Sequence, residues 1–430
     1  MSEALYEQRP LGDAVERHIG GGTPPRQVPS YWKGDIPWAS VKDFPEQKGV
    51  IQDTEEHISS AGLHASASNL IPEQTPLVCT RMAVGRAALP VIPMAINQDV
   101  KALFPASGVS AGYLLKLMQY IQALAEGRAV GSTVKGIRIQ DYLNITVPMA
   151  PQKAQPVIAQ VLDTLDTTIR ETEVLIDKLK ALKQGLLHDL LTRGIDVNGQ
   201  LRPPQSEAPQ LYKESPLGWI PREWEVVDVR EAGEVKLGRQ RSPNHERGQH
   251  MRPYFRVANV YDGFIDFSDV QEMNFSPSEQ KVYSVLPGDI LLNEGQSLEL
   301  VGRCALYEGE PGIYCFQNTL VRFRANDATV PKYARQVFKY WLDNGRFTQV
   351  AKQTTSIAHL GADRFAVMPF PSPSRCEQVL IAERLQALTG REATERLQLQ
   401  KLRQQKNGLM DDLLTGRVRV TPLLAPGGVA

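Results

Sequence analysis

Apolar residues at Ile158, Leu162, Leu165, Ile169, Ile176 and Leu179 recur in steps of four and three, with Thr172 at the one position that interrupts them. A stripe this narrow predicts a helix that buries one face against a similar helix, as in a two-helix coiled coil. Leu182, Leu186 and Leu190 continue it with a slightly shifted spacing. At about 1.5 Å per residue, the stretch from Pro156 to Leu191 makes a rod of about 54 Å.

The end of this stretch is written twice. Residues 178–197 read KLKALKQGLLHDLLTRGIDV and residues 401–420 read KLRQQKNGLMDDLLTGRVRV, identical at 10 of 20 positions at a constant offset of 223. Upstream, Ile158 and Ile381, Ala159 and Ala382, Leu162 and Leu385, and Leu165 and Leu388 stay in step. The second stripe is less regular, broken by GREATE at 390–395 and resumed at Leu399, Leu402, Leu409 and Leu413. Amphipathicity arising by chance explains the leucines but not the shared order of Lys-Leu, Gly-Leu and Asp-Leu-Leu-Thr, so the repeat is read as an internal duplication.

The pattern before each rod is mixed. Leu11–His18 reads as a short helix, GGGTPP at 20–25 as a loop, and GDIPWASVKDF at 34–44 as a turn into an extended run. Strand-like runs follow at 76–90 and 96–105, then a helix over Ser110–Glu126 with Tyr113, Leu114, Leu117 and Ile121 on its apolar face, then GIRIQDYLNITVPMAP. The second half repeats this succession: PYFRVANVYDG stands for IPWASVKDF, GRCAL for GRAAL, FQNTLVRF for INQDVKALF, and KYARQVFKYW for GYLLKLMQY. The predicted organisation is a head at 1–150, a rod helix at 151–195, a connector rich in Gly and Pro at 196–215, a second head at 216–373, a second rod at 374–416 and a tail at 417–430.

Composition adds limits. A chain of 430 residues can build two or three cores, and 48 basic against 48 acidic side chains leave the nucleic-acid question to local charge. Cys79, Cys304, Cys315 and Cys376 have no metal-ligand spacing and read as free thiols of a reducing cytoplasm. The chain opens on no secretory signal pattern and contains no long apolar run, so a cytoplasmic location away from membranes is expected. Locally, Lys236, Arg239, Arg241, Arg247, Arg252 and Arg256 face only Glu246 over residues 236–256, a net charge of 6 − 1 = +5. Such a run is either a solvated loop or a clamp on a phosphate backbone.

Two heads, each followed by a rod carrying K-L-x-x-x-K-x-G-L-x-x-D-L-L-T, resemble the specificity subunit of a type I DNA restriction-modification system over nearly the whole chain, and GDIPWASVKDF is a phrase similar to that family's. The resemblance implies a mixed α/β fold of two duplicated target-recognition domains separated by an antiparallel two-helix coiled coil. It also implies a bipartite double-stranded DNA target. Catalysis would reside in two methyltransferase subunits using S-adenosylmethionine for adenine-N6 methylation, and in motor-nuclease restriction subunits using ATP and magnesium. The chain itself shows no Asn/Asp-Pro-Pro-Tyr/Phe phrase, Walker lysine or nucleophile elbow, so it is expected to be non-catalytic, to bind no cofactor or metal, and to touch no membrane.

Carried onto this sequence, the resemblance marks Ser40 and Lys42 in the first head and Arg256 and Asn259 in the second as DNA-facing. Arg26 and Lys33 beside the glycine loop, and Lys236, Arg239 and Arg241 in the basic run, are expected at phosphates. Arg81, Arg86, Gln98, Arg303, Gln317 and Asn318 occupy matched sections of the two heads, where they either reach bases or phosphates or fill internal polar bonds. Tyr31, Trp32, Trp38, Tyr254 and Phe255 are read first as core. His188 lies beside the rod stripe with Asp411 as its duplicate, which argues against a metal or catalytic role. The rival reading is a protein-interaction adapter without sequence-specific DNA recognition.

Overall fold

In a computed structural model, which describes residues 5–44, 49–243, 246–353 and 357–420, both rods are continuous helices. The first 44 residues supply strands β1 (Glu7–Pro10), β2 (Val15–Gly20) and β3 (Ile36–Ala39). Strands β4 (Leu77–Cys79), β5 (Ala87–Pro90), β6 (Met94–Ile96) and β7 (Val100–Pro105) follow, then helix α1 (Ala111–Tyr120), strand β8 (Thr146–Met149) and the first rod, α2 (Gln155–Thr192). The second half repeats the series as β9 (Glu225–Asp228), β10 (Gly233–Leu237), β11 (Met251–Phe255), β12 (Ile290–Asn293), β13 (Cys304–Leu306), β14 (Cys315–Phe316), β15 (Leu320–Ala325), α3 (Pro331–Asp343), β16 (Pro369–Ser372) and the second rod, α4 (Arg375–Thr415).

The chain divides into two compact units, residues 1–176 with 395–430, and residues 177–394. In the first, β2-β7-β4-β5 form an antiparallel sheet extended by Val50–Ile51; in the second, β10-β15-β12-β13 form the same sheet. Each unit adds a parallel pair, β3 with β6 and β11 with β14. Each also closes with an antiparallel pair joining its first strand to the one before the rod, β1 with β8 and β9 with β16.

The expected helix over Leu11–His18 is a correction. Only Leu11–Ala14 coils, as a 3-10 turn with Leu11 and Ala14 buried, and Val15–Gly20 is strand β2. Its backbone pairs with β7 from Lys101↔Gly20 to Phe104↔Arg17, and a sheet partner outweighs a weak local helical pattern. The helix over Ser110–Glu126 is real but divided. The Ser110 hydroxyl caps it by accepting from Tyr113 N at 3.2 Å, and α1 stops before Ile121, after which Gln122–Arg128 forms a second helix.

The rods pack antiparallel within each unit. In the first, Asp166 pairs with Lys406 at 2.5 Å and Glu173 with Arg403 at 2.8 Å, so numbers rise along one helix as they fall along the other. In the second, Lys183 faces Glu392 at 3.6 Å. Ile169, Ile176 and Leu179 are buried, as their stripe predicts, but Ile158 and Leu162 join Tyr113, Leu114 and Leu117 in the head core. At the other end Leu187, Leu190 and Leu191 join Ile381, Leu385, Phe338 and Trp341. The stripe therefore changes neighbour along its length, from head to helix to head, which accounts for its shift near Leu182. That residue is 60% exposed.

Candidate nucleic-acid interface

In the first unit the glycine loop closes on the parallel pair. A Cβ on Gly21 would overlap the Ile96 carbonyl, and Gly22 N donates to that same carbonyl at 3.1 Å. Trp38, 3% exposed, donates from Nε1 to Gly22 O and to Ser68 Oγ, each at 3.0 Å, and meets Trp32 edge-on at 5.1 Å. Across this corner Arg26 lies over the Trp32 ring at 3.7 Å and bonds both carboxylate oxygens of Glu56. These hydrogen bonds hold the Glu56 carboxyl below the usual carboxylate range and raise the Arg26 guanidinium. Lys33 is exposed and forms no ion pair with a described residue.

A second group gathers at the turn after β6. Thr23 donates to Gln98 Oε1 at 2.5 Å, Gln98 Nε2 reaches Asp99 at 3.4 Å, and Arg81 approaches the same buried carboxylate at 3.8 Å. Lys42 is exposed, 3.7 Å from Glu55. Ser40 is engaged locally: its N and Oγ both donate to Asp43 Oδ2, at 2.8 and 2.9 Å, capping the turn Val41–Asp43. Arg86 turns inward and donates to Phe44 O at 3.2 Å.

The same corner in the second unit carries different side chains. Gly238 approaches the Gln317 carbonyl as Gly21 approaches Ile96, and Arg239 N donates to Phe316 O at 3.1 Å as Gly22 does to Ile96. Arg239 is 6% exposed, pairs with Glu279 at 2.8 Å, donates to Asn274 O at 2.5 Å and lies 5.0 Å from the Phe275 ring. These bonds tie its guanidinium into the fold. Asn259 is likewise engaged within the fold. At 1% exposure it spends its amide on Asp266 O and Asp269 O, and its oxygen accepts from Arg256 N at 3.0 Å, in the place Asp43 holds in the first unit.

Arg256 is bound to Asp269 at 2.5 Å, and Arg241 to Glu246 at 3.3 Å. Arg252 donates to Gln280 at 3.2 Å, so of the six cations in the basic run only Lys236, half-buried, and Arg247, exposed, form neither ion pair nor side-chain hydrogen bond with a described residue. Asn244 and His245, inside that run, lie outside the described residues. Arg303 sits 4.9 Å from the Tyr261 ring. Gln317 and Asn318 are half-buried beside Arg239, with backbone bonds to Phe255 O at 2.9 Å and Arg239 O at 3.0 Å.

The sequence reading missed the carboxylates. Glu56, Asp99, Asp269 and Glu279 decide which cations remain available, and none stands at a spacing that announces its partner. His188 proves to be a tie between rod and head, with Nδ1 2.9 Å from Tyr340 Oη, and Asp411 bonds Tyr120 at 3.2 Å in the duplicate place. Among the described residues no group of three His, Cys, Asp or Glu could hold a metal, and no helix is long and apolar enough to cross a membrane. Of the free thiols, Cys79, Cys304 and Cys315 are buried and Cys376 is exposed.

The type I restriction modification DNA specificity domain matches residues 4–181 and again 221–404. The specificity subunit of the type I restriction enzyme MjaIX of Methanocaldococcus jannaschii is 24% identical over 290 residues, 65% of this chain and 64% of that protein. The Escherichia coli EcoR124I/EcoR124II specificity subunit is 26% identical over 172 residues, 38% and 42% of the two chains. The chain thus spans less than two thirds of the length of these relatives. A crystal structure of the S subunit of a type I restriction-modification system from M. genitalium shares the fold, with a TM-score of 0.57 at 14% identity over 96% of this chain and 97% of the other.

Proposed function

Because the chain belongs to the type I restriction-modification DNA specificity family, we propose that it is the non-catalytic subunit that recognises double-stranded DNA and directs its partners to a bipartite target. The observation that carries this reading is that the family pattern matches twice, once per head. Two heads with one strand order but different side chains at the same corner suit two unlike half-sites. The helix pair sets the spacing between the half-sites and receives the methyltransferase subunits. Those partners bring S-adenosylmethionine for adenine-N6 methylation, and restriction subunits bring ATP and magnesium for translocation and cleavage.

Specificity then resides in the heads, with sequence-independent affinity from exposed cations such as Lys33 and Arg247. The adapter reading draws on one observation, that most candidate arginines are already engaged by carboxylates. Methylome mapping separates the two. In a host carrying this chain and its methyltransferase partner, exchanging residues 1–150 for another member's head should change one half of the methylated motif and keep the other. Methylation indifferent to the exchange in a folded complex, or none that depends on this chain, supports the adapter.

A further inference from the structure

Resting on that reading, we propose that Arg26 reads a guanine in the half-site of the first head, and that Glu56 is the residue that positions it. The guanidinium is fixed on two sides. One face lies over the Trp32 ring at 3.7 Å, and Trp32 is itself pinned by its indole N–H to Pro25 O at 3.3 Å. Nη1 and Nη2 each donate to one oxygen of Glu56, the latter at 2.9 Å. Glu56 is anchored in turn, because its carbonyl accepts from Trp38 N at 2.9 Å and from Thr54 Oγ1 at 2.7 Å.

A guanidinium carries five N–H donors in a rigid plane. An end-on carboxylate takes one hydrogen from each Nη and leaves the side fork, Nε–H with the outer Nη2–H, which has no partner among the described residues. The side chain remains 52% exposed, so that fork is reachable from solvent.

The ligand class follows from charge and geometry. With Glu56 against it the pair is close to neutral, so a phosphate approaching Arg26 would be attracted by one group and repelled by the other. A base edge carries no net charge and loses much less to Glu56 than a phosphate does. Two parallel donors match two adjacent acceptors, which in the major groove are O6 and N7 of guanine; adenine offers N7 beside a donor amine. Holding the fork in advance also removes most of the rotamer freedom that an arginine otherwise loses on binding. Lys33, exposed and without a carboxylate partner among the described residues, is the phosphate contact of the same loop.

The test is selection of duplexes from a randomised pool by the full-length chain. Wild type should select guanine at one position of one half-site. Arg26→Lys, which keeps the charge but not the fork, and Arg26→Ala should lose preference there by about 5- to 150-fold while every other position is retained. Glu56→Gln should blur the same position and no other. Replacing that guanine by 7-deazaguanine should weaken wild type and leave Arg26→Ala unaffected. Equal weakening of all sequences by Arg26→Ala, with a shallower salt dependence, would make Arg26 a phosphate contact and overturn the proposal. Unchanged selection by the variants would overturn it too. Absence of any selection by wild type would instead remove DNA reading by this chain, and the guanine contact with it.

Discussion

The two units anchor rod to head with different chemistry. In the first, Lys116, 1% exposed, bridges Asp163 at 2.7 Å and Asp166 at 2.6 Å, and Lys406 joins Asp166 from the second rod. The corresponding positions in the second unit are Gln336, Gln386, Thr389 and Lys183, and they line an open cleft of about 530 Å³. The second unit keeps its buried charge elsewhere. Arg202 of the connector pairs with Glu377 at the start of α4 at 2.5 Å, and Glu377 also accepts from Ile195 N at 2.7 Å; Ala154 stands at the matching place in the first unit.

Two neutral side-chain bonds to the backbone at the junction of head and rod, by contrast, recur in both. Tyr113 donates to Pro148 O at 3.2 Å and Tyr333 to Pro371 O at 3.1 Å. Gln155 donates to Ala150 O and Gln378 to Pro373 O, each at 3.0 Å. A bond to a carbonyl depends on one side chain, because the acceptor comes with the fold; an ion pair depends on two side chains at once. Duplicated halves can therefore drift apart in their charges while their backbone-directed bonds persist.

The largest effect expected from breaking this contrast is at Glu377. Glu377→Ala leaves Arg202 with Glu223, which is 75% exposed at 2.9 Å, and removes its buried partner. Breaking a buried pair on one side costs about 3 kcal/mol, to be read from urea unfolding. A loss below about 1 kcal/mol would mean that the connector is not clasped by this pair. Next comes transplanting the first unit's clasp. Gln336→Lys alone places an ammonium beside Gln386 and Thr389, where the first unit has Asp163 and Asp166, and should cost about 1–3 kcal/mol. Adding Gln386→Asp and Thr389→Asp should recover most of it. If the single variant is neutral, the cleft hydrates the charge and the two sites are not equivalent.

What could be read in advance follows the same division. The rods, the duplicated order of elements and the two heads were legible because they rest on periodicity and on matched phrases such as GRAAL and GRCAL. The parallel pairs β3–β6 and β11–β14 and the strand at Val15–Gly20 were not, since they depend on partners far along the chain. Basic residues were visible but their availability was not. Arg239 reads like Arg241 in the sequence, yet a carboxylate forty positions on and a neighbouring carbonyl take it into the fold. The Arg26–Glu56 pair, thirty residues apart, is brought together by the pairing of β3 with His57–Ile58 and by the bond from Trp38 N to Glu56 O.

The smallest effect tests a rod-to-head tie from the same tyrosine, whose rod partner changed type between the copies. Tyr120 bonds Asp411 at 3.2 Å, and Tyr340 lies 2.9 Å from His188 Nδ1. Tyr120→Phe should cost about 1 kcal/mol at neutral pH, the ordinary net worth of such a bond. His188→Asp, which copies the first unit into the second, should stay within about 0.5 kcal/mol of wild type, because a carboxylate accepts from a phenol as well as an imidazole does. The two ties differ in alkali. Burial raises the Tyr120 phenol above its ordinary value of 10.0, and the hydrogen bond and charge of Asp411 raise it further. A proton held more tightly in the folded state stabilises that state fully below the unfolded value of about 10 and ceases to do so as pH rises through the folded one. The advantage of wild type over Tyr120→Phe should therefore shrink as pH climbs past 10. Burial alone leads the rise for Tyr340, so His188→Asp should push its phenol higher, seen as delayed tyrosinate absorbance. Unfolding curves for Tyr120→Phe that run parallel to wild type from pH 8 to 11 would remove Asp411 as the partner that holds this proton.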